Sequence, residues 1–206
     1  MDRRRLLRGT AAVTVAGLLM PPGRAEATPS RAKPGNTASL GARAETDYPL
    51  AQWLPAATSN YTASSRPSSY SVDYVVIHVA QETFADTVRI FQNPAKKVSA
   101  HYVVRSTDGH VAQCVRERHV GWHAGNWDYN TRSVGIEHEG WVDQPVYFTD
   151  VLYERSAALT ASICARYGIP RTRSRIIGHH EVPGADHTDP GRHWDWTRYM
   201  RLVNSF

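Results

Sequence analysis

Residues 72–79, Val-Asp-Tyr-Val-Val-Ile-His-Val, constrain the fold of this chain more than any other stretch. The run is almost continuously apolar and mostly β-branched. That pattern suits a strand buried on both faces, which requires a layer of structure on each side of its sheet. His78 stands near the C-terminal end of the run. Two readings are open for it: an imidazole hydrogen-bonded within the core, or a ligand presented at the end of a central strand.

The other elements can be placed around this strand. Residues 83–92 put Val88 and Phe91 on one helical face and stop before Pro94. Residues 100–105 read as a second strand. Thr107-Asp-Gly-His110 is a turn signal, so residues 111–115 are expected to pair antiparallel with that strand. Residues 133–139 form another strand. Leu152, Ser156, Leu159, Ile163 and Tyr167 recur at helical spacing. Their helix is expected to start near Thr149 and to end at Gly168, just before Pro170. Residues 175–178 make a short last strand. Residues 195–203 make a closing helix with Tyr199, Met200 and Val203 inward. The order β-α-β-β-β-α-β-α predicts an α/β (α+β) fold, a single domain over residues 71–206 with a central mixed β-sheet flanked by helices.

Residues 1–27 have the features of an export signal. Arg3-Arg4-Arg5-Leu6-Leu7-Arg8 is a basic start with a twin-arginine pattern. Residues 10–20 are apolar but too short for a permanent membrane span. Ala25-Glu26-Ala27 fits a cleavage site, which places the mature start near Thr28 and predicts a secreted or cell-wall protein. Residues 28–47 are rich in Ala, Ser, Pro, Gly and charge and read as a disordered lead. Residues 48–70 carry Tyr48, Leu50, Trp53, Leu54 and Tyr61 among Pro and Ser. They fit either an extended arm on the domain or a free linker. The chain carries 24 Lys+Arg and 19 Asp+Glu, a net charge of +5. Residues 1–27 hold five Arg and two acids, so the rest carries 19 − 17 = +2. So small an excess argues against a nucleic-acid partner. A monomer is expected. Export permits a disulfide between Cys114 and Cys164, and two buried thiols fit equally well.

Residues 176–194 concentrate the candidate chemistry. Four histidines and three carboxylates share this stretch with two Pro and three Gly. Most of it is therefore loop, and its polar side chains are free to converge. His179 closes the last strand much as His78 closes the central one. If those strands are neighbours, both imidazoles meet at one edge of the sheet. Asp189 follows after a loop able to fold back. Two histidines and one carboxylate suit Zn²⁺ and leave a fourth position open, as catalytic zinc sites do. Hydrolysis there needs a base and an oxyanion partner. Glu137 and Glu139 lie on one strand and face the same way. Glu137, preceded by Gly135 and Ile136, is expected to be the more buried, with the higher pKa. His187 is placed to donate a hydrogen bond to a developing oxyanion. A solvated polar loop and ordinary surface carboxylates are the plainer alternatives. In Trp122-His-Ala-Gly-Asn-Trp127 two aromatics flank a glycine, which fits either stacking on sugar or peptide faces or anchoring of the loop.

Several short blocks then occur in a telling order: His78 in Val-Ile-His, Ser99-Ala-His-Tyr102, Trp122-His-Ala-Gly125, Val134-Gly-Ile-Glu-His-Glu-Gly140, Gly178-His179 and His187-Thr-Asp-Pro-Gly191. Residues 70–203 thereby resemble the type 2 N-acetylmuramoyl-L-alanine amidases, a zinc family that includes the peptidoglycan recognition proteins. The resemblance implies one Zn²⁺ per chain, held by His78, His179 and Asp189. It implies Glu137 as general base and His187 as oxyanion stabiliser. It favours His179 over His180, because the spacing from His179 to Asp189 matches the family's ligand pair. It implies substrate contacts from His101, Trp122, His123, Asn126 and Trp127. The implied substrate is peptidoglycan or muropeptides, cut between N-acetylmuramic acid and L-alanine. Some relatives lack the full zinc set and only bind muropeptides, and the presence of Asp189 argues against that alternative here. A zinc peptidase is a third class, but the chain has no His-Glu-x-x-His helix.

Two departures from the family pattern have consequences. Some members carry a Tyr at the place of Ala100 that assists at the zinc water, so more of the work falls to Glu137. Others carry a Lys in place of His187. A histidine titrates near neutral pH, so activity is expected to decline on the alkaline side as His187 loses its proton. A flat rate profile from about pH 6 to 9 would count against that role.

Overall fold

The computed structural model describes residues 46–206. The export signal over residues 1–27 and nearly all of the lead over 28–47 lie outside the described residues. Among the described residues, no helix is long and apolar enough to cross a membrane.

The apolar run forms β3 (Tyr74–Val79), and from Val75 to Val79 every residue is buried. Its neighbours are β7 (Ser133–His138) and β8 (Ile176–Gly178), both parallel to it. A parallel strand in this position has both faces covered, which is why its sequence does not alternate. The sheet continues through β4 (Tyr102–Val104), parallel to β7, and β5 (Val111–Gln113), antiparallel to β4 across the expected turn. With β1 (Gln52–Trp53) at the far edge, the order is β1-β5-β4-β7-β3-β8, a mixed six-stranded sheet.

The helices begin and end where their chemistry dictates. In α1 (Phe84–Gln92), the Thr83 hydroxyl accepts from the Asp86 N–H and caps the first turn. A six-residue helix, α2 (Trp127–Arg132), is capped by Asn126. The long helix α3 (Asp150–Tyr167) is capped by Thr149 and closed by Gly168 in the left-handed conformation, φ 67°. Helix α4 (Trp196–Ser205) packs on α3, with Tyr199 and Val203 buried and Met200 only partly so. One large apolar cluster, which includes Ile77, Ile136, Leu152, Leu159 and Trp194, fills the space between these helices and the sheet. A smaller cluster beneath α1 contains Ala56, Phe91 and Val103.

Three findings go beyond or correct the sequence reading. Of the two readings of residues 48–70, the structure shows the arm lying on the domain, and it adds strand pairing that the sequence did not announce. Strand β1 pairs with β5, and β2 (Tyr61–Thr62) pairs antiparallel with β6 (Val120–Gly121). Residues 127–132 form a helix, although so short a segment carries no readable apolar period. Cys114 and Cys164 are both buried free thiols, in separate apolar clusters, and burial pushes their pKa values up to about 12 and about 11.

Burial also sets the acid sensitivity of the fold. His138 is fully buried: its Nδ1 donates to the His78 carbonyl (2.7 Å), and Ser156 Oγ lies 2.6 Å from Nε2. Desolvation lowers its pKa to about 3, and that of His101 falls well below the ordinary value for the same reason. An unfolded histidine takes up a proton near pH 6.5, whereas these do not, so the unfolded state binds more protons as pH falls. The stability they support is complete above about pH 6.5 and is lost progressively toward the folded values. Keeping His138 neutral at pH 5 costs about 2 kcal/mol. Urea midpoints are therefore expected to be clearly lower at pH 5 than at pH 7, and equal midpoints would contradict the neutral assignment.

Candidate active site and metal centre

Strand register builds the site. Pairing of β3 with β7 sets His78 directly beside Glu137. Pairing of β3 with β8 sets Ile77 beside Gly178, so His179, one residue on, comes level with His78. All three side chains stand at the C-terminal ends of parallel strands, where open α/β sheets present their ligand sites. Asp189 has to return to the same point. A Cβ on Gly178 would lie 2.7 Å from Pro190 Cδ, so only a bare α-carbon lets the returning loop close on the strand end. The His180 N–H donates to the Asp189 carbonyl at 3.0 Å and fixes the return.

The resulting donor set is compact. Ligand atoms of His78, His179 and Asp189 lie within 4.8 Å of one another, and all three residues are buried. His78 Nδ1 is 3.3 Å from Asp189 Oδ2, and His179 Nδ1 is 3.1 Å from Asp189 Oδ1. A tetrahedral ion with bonds of about 2.0–2.1 Å holds its ligand atoms roughly 3.3 Å apart, so the residues fit zinc. Burial raises the pKa of Asp189, but its contacts with His179 and His78 outweigh it and hold the carboxyl well below the usual range. Asp189 is therefore an anion ready to bind a cation. His180, the alternative ligand, is exposed and points its Nδ1 at the Asp189 carbonyl instead (3.0 Å).

Glu137 carries a buried carboxylate oxygen that no hydrogen bond satisfies. Its Oε1 lies 4.0 Å from His78 Nδ1, and its Oε2 is buried with no hydrogen bond. Desolvation, reinforced by the negative charge of Asp189, pushes its pKa well above the ordinary carboxylate value. Glu139 is fully engaged, accepting from the Phe84 N–H (3.0 Å) and the Ser106 N–H (2.8 Å). Of the two carboxylates left open by the sequence, Glu137 is the one free to move a proton. His187 stands at the mouth with its side chain 57% exposed, stacked on His179 at 4.2 Å between ring centroids and 3.7 Å from Asp189 Oδ1.

A cleft of about 490 Å³ opens over these groups, with Trp122, His123, Lys97, Val98 and Gln81 among its walls. Lys97 and Gln81 hold left-handed backbones, φ 54° and 56°, a strain found at functional sites. Sequence reasoning missed both, and nothing in their residue types signals it. The arm supports this wall. Fully buried Asn60 donates to the Phe91 and Asn93 carbonyls (2.8 and 2.9 Å) and accepts from the Lys97 N–H (3.2 Å). Thr62 Oγ1 accepts from the Trp122 indole N–H at 3.0 Å. Asn60→Ala would remove all three of these hydrogen bonds between the arm and the wall. A stability loss of about 1–3 kcal/mol, with a rise in KM, is the expected result in denaturation and rate measurements.

Three residues expected as substrate contacts are not among those that line the cleft. His101 is fully buried: its Nδ1 accepts from the Gly135 N–H (3.0 Å) and its Nε2 lies 2.7 Å from the Arg66 guanidinium. Asn126 caps α2 and donates to the Pro183 carbonyl (3.0 Å), so its side chain is committed to the fold. Trp127 is 53% exposed on the surface and is not among the residues lining the cleft. Ala100 is fully buried in the smaller apolar cluster.

A buried His/His/Asp donor set beside a carboxylate with an unsatisfied oxygen, on a mixed α/β sheet, is the equipment of a hydrolase. Residues 68–192 match the family described as N-acetylmuramoyl-L-alanine amidase. The N-acetylmuramoyl-L-alanine amidase A of Achromobacter lyticus is 35% identical over 175 residues, covering 77% of this chain and 96% of that protein. The 1,6-anhydro-N-acetylmuramyl-L-alanine amidase AmpD of Citrobacter freundii is 36% identical over 113 residues, 52% of this chain and 58% of its own length. A crystal structure of an AmpD selenomethionine derivative superposes with a TM-score of 0.61 at 28% identity, over 75% of this chain and 94% of that one. The amidase AmiD from E. coli, solved with the substrate anhydro-N-acetylmuramic acid-L-Ala-D-gamma-Glu-L-Lys, shares the fold with a TM-score of 0.55 at 23% identity, over 64% of this chain and 57% of that one. The chain belongs to the N-acetylmuramoyl-L-alanine amidase family and is an enzyme of that class.

Proposed function

We propose that this enzyme is a zinc-dependent amidase of peptidoglycan that works outside the cytoplasm, cutting the amide between the lactyl group of N-acetylmuramic acid and L-alanine. The observation that carries the reading is the Glu137 carboxylate, with one oxygen unsatisfied and the other 4.0 Å from His78 Nδ1, at the edge of the His78/His179/Asp189 donor set. Zinc held by those three residues would supply a Lewis acid that polarises the amide carbonyl and lowers the pKa of water. Glu137 takes the proton of the attacking water. It then returns that proton to the departing alanine nitrogen, so one group serves as base and acid in turn. His187, at the mouth of the cleft, donates to the developing oxyanion. Trp122 and Val98 offer apolar surface along one wall of the cleft. The basic start and apolar stretch of residues 1–27 support export to the compartment where the polymer lies.

The test is to incubate purified protein with intact peptidoglycan, with and without a zinc chelator, and to label the new amino termini. New N-terminal alanine that disappears on chelation and returns with zinc is the expected result. Binding without new termini would leave a recognition protein, and termini of another residue would indicate a peptidase.

A further inference from the structure

We propose that His123 is a positioning residue: it accepts a hydrogen bond from His78 Nε2 and so holds the opposite nitrogen, Nδ1, toward the metal position. This inference rests on the reading of His78, His179 and Asp189 as a metal site.

The protons can be placed from the far end of a short chain of contacts. Ser133 Oγ lies against the Tyr129 carbonyl on one side and 3.2 Å from His123 Nε2 on the other. A carbonyl only accepts, so the Ser133 hydroxyl donates its hydrogen bond to the Tyr129 carbonyl. Its lone pair is left facing His123, whose Nε2 must therefore carry a hydrogen. A neutral imidazole protonated at Nε2 has a bare Nδ1. His123 Nδ1 lies 3.0 Å from His78 Nε2, so His78 is the donor in that contact. His78 Nδ1 keeps its lone pair, and it is this atom that lies 3.3 Å from Asp189 Oδ2. Working from the other end gives the same result. An imidazole that binds a metal through Nδ1 carries its one proton on Nε2 and is steadied by an acceptor there.

The fold reserves a place for the His123 ring. A Cβ on Gly135, in the middle of β7, would lie 2.6 Å from His123 Cγ and 2.7 Å from its Nδ1. The ring occupies the space that the glycine leaves open. Asn130 Oδ1 accepts from the N–H groups of His123 and Ala124 (3.0 and 2.8 Å) and fixes the backbone. His123 is 6% exposed and meets His78 edge-on, with the ring planes 88° apart. A side chain so enclosed is better placed to orient a neighbour than to grip a substrate.

Zinc affinity, measured by chelator competition on the purified protein, is the first readout. Wild type must bind zinc; if it does not, the metal reading itself fails. With that satisfied, His123→Ala is expected to weaken zinc binding roughly 10–100-fold. His123→Asn, whose Oδ1 falls where Nδ1 was, should recover most of the loss. At saturating zinc, KM should stay near wild type in both. Unchanged zinc affinity in His123→Ala overturns the proposal, and a raised KM in its place would make His123 a substrate contact. A second readout needs no variant. Long-range ¹H–¹⁵N spectra of zinc-loaded wild type should show both His78 and His123 protonated at Nε2, and a proton on His123 Nδ1 overturns the proposal.

Discussion

Glu137→Gln is expected to lower kcat roughly 10²–10⁴-fold, the usual contribution of a general base, while zinc affinity and KM stay close to wild type. The amide keeps the shape of the carboxylate and removes only its ability to take a proton. Glu137 is outside the compact His78/His179/Asp189 group, so metal binding should survive. Its Oε2 has no hydrogen bond in the enzyme, so the substitution breaks no existing contact of that atom. The direction of the pH effect follows from the same environment. Burial and the charge of Asp189 raise the Glu137 pKa, and a base works only when deprotonated. Wild-type activity should therefore fall on the acid side at a higher pH than an ordinary carboxylate would give, and Glu137→Gln should lack that limb. Activity within about tenfold of wild type in a zinc-loaded Glu137→Gln enzyme would remove Glu137 from the base role.

Asp189→Ala should be the most damaging single change, with zinc binding and turnover lost together. Asp189 contacts both histidines, at 3.3 and 3.1 Å, and is the anionic member of the donor set. Without it two neutral imidazoles remain, and a divalent cation loses its charge partner. Thermal unfolding gives a clean reading. Zinc at about 100 times its Kd stabilises a wild-type site by about 2.7 kcal/mol. That shift should be absent from Asp189→Ala, while the metal-free melting points of the two proteins should differ far less. A variant that still gains full stability from zinc would mean that the metal is held elsewhere.

Much of the framework was legible in the chain because its signals are local. The residues flanking β3 cannot hide its continuous apolar run, and the caps of α3 at Thr149 and Gly168 follow from the hydrogen-bonding needs of helix ends. The convergence of His78, His179 and Asp189 was foreseeable as well, given two strand ends and a loop broken by Gly and Pro. The strand pairing of residues 48–70 was not legible. Their strands are two residues each and exist only because β5 and β6 offer edges to pair with. Helix α2 was missed for a related reason, since its six residues rely on the Asn126 cap and on packing.

By itself, the sequence determined the buried strand, the main helices and a list of groups able to hold zinc and move a proton. Only the tertiary structure decided which members of that list act together. Strand register put Glu137 beside His78, while backbone N–H groups of two other segments claimed Glu139. Burial took His101 away from the cleft, and a helix cap took Asn126. Asn60 tied the arm to the wall that carries Lys97. The physical reason is the same in each case. Residue type fixes what a side chain can donate, accept or ligate, but its partners come from segments tens of residues away. Those segments meet only when the sheet is assembled.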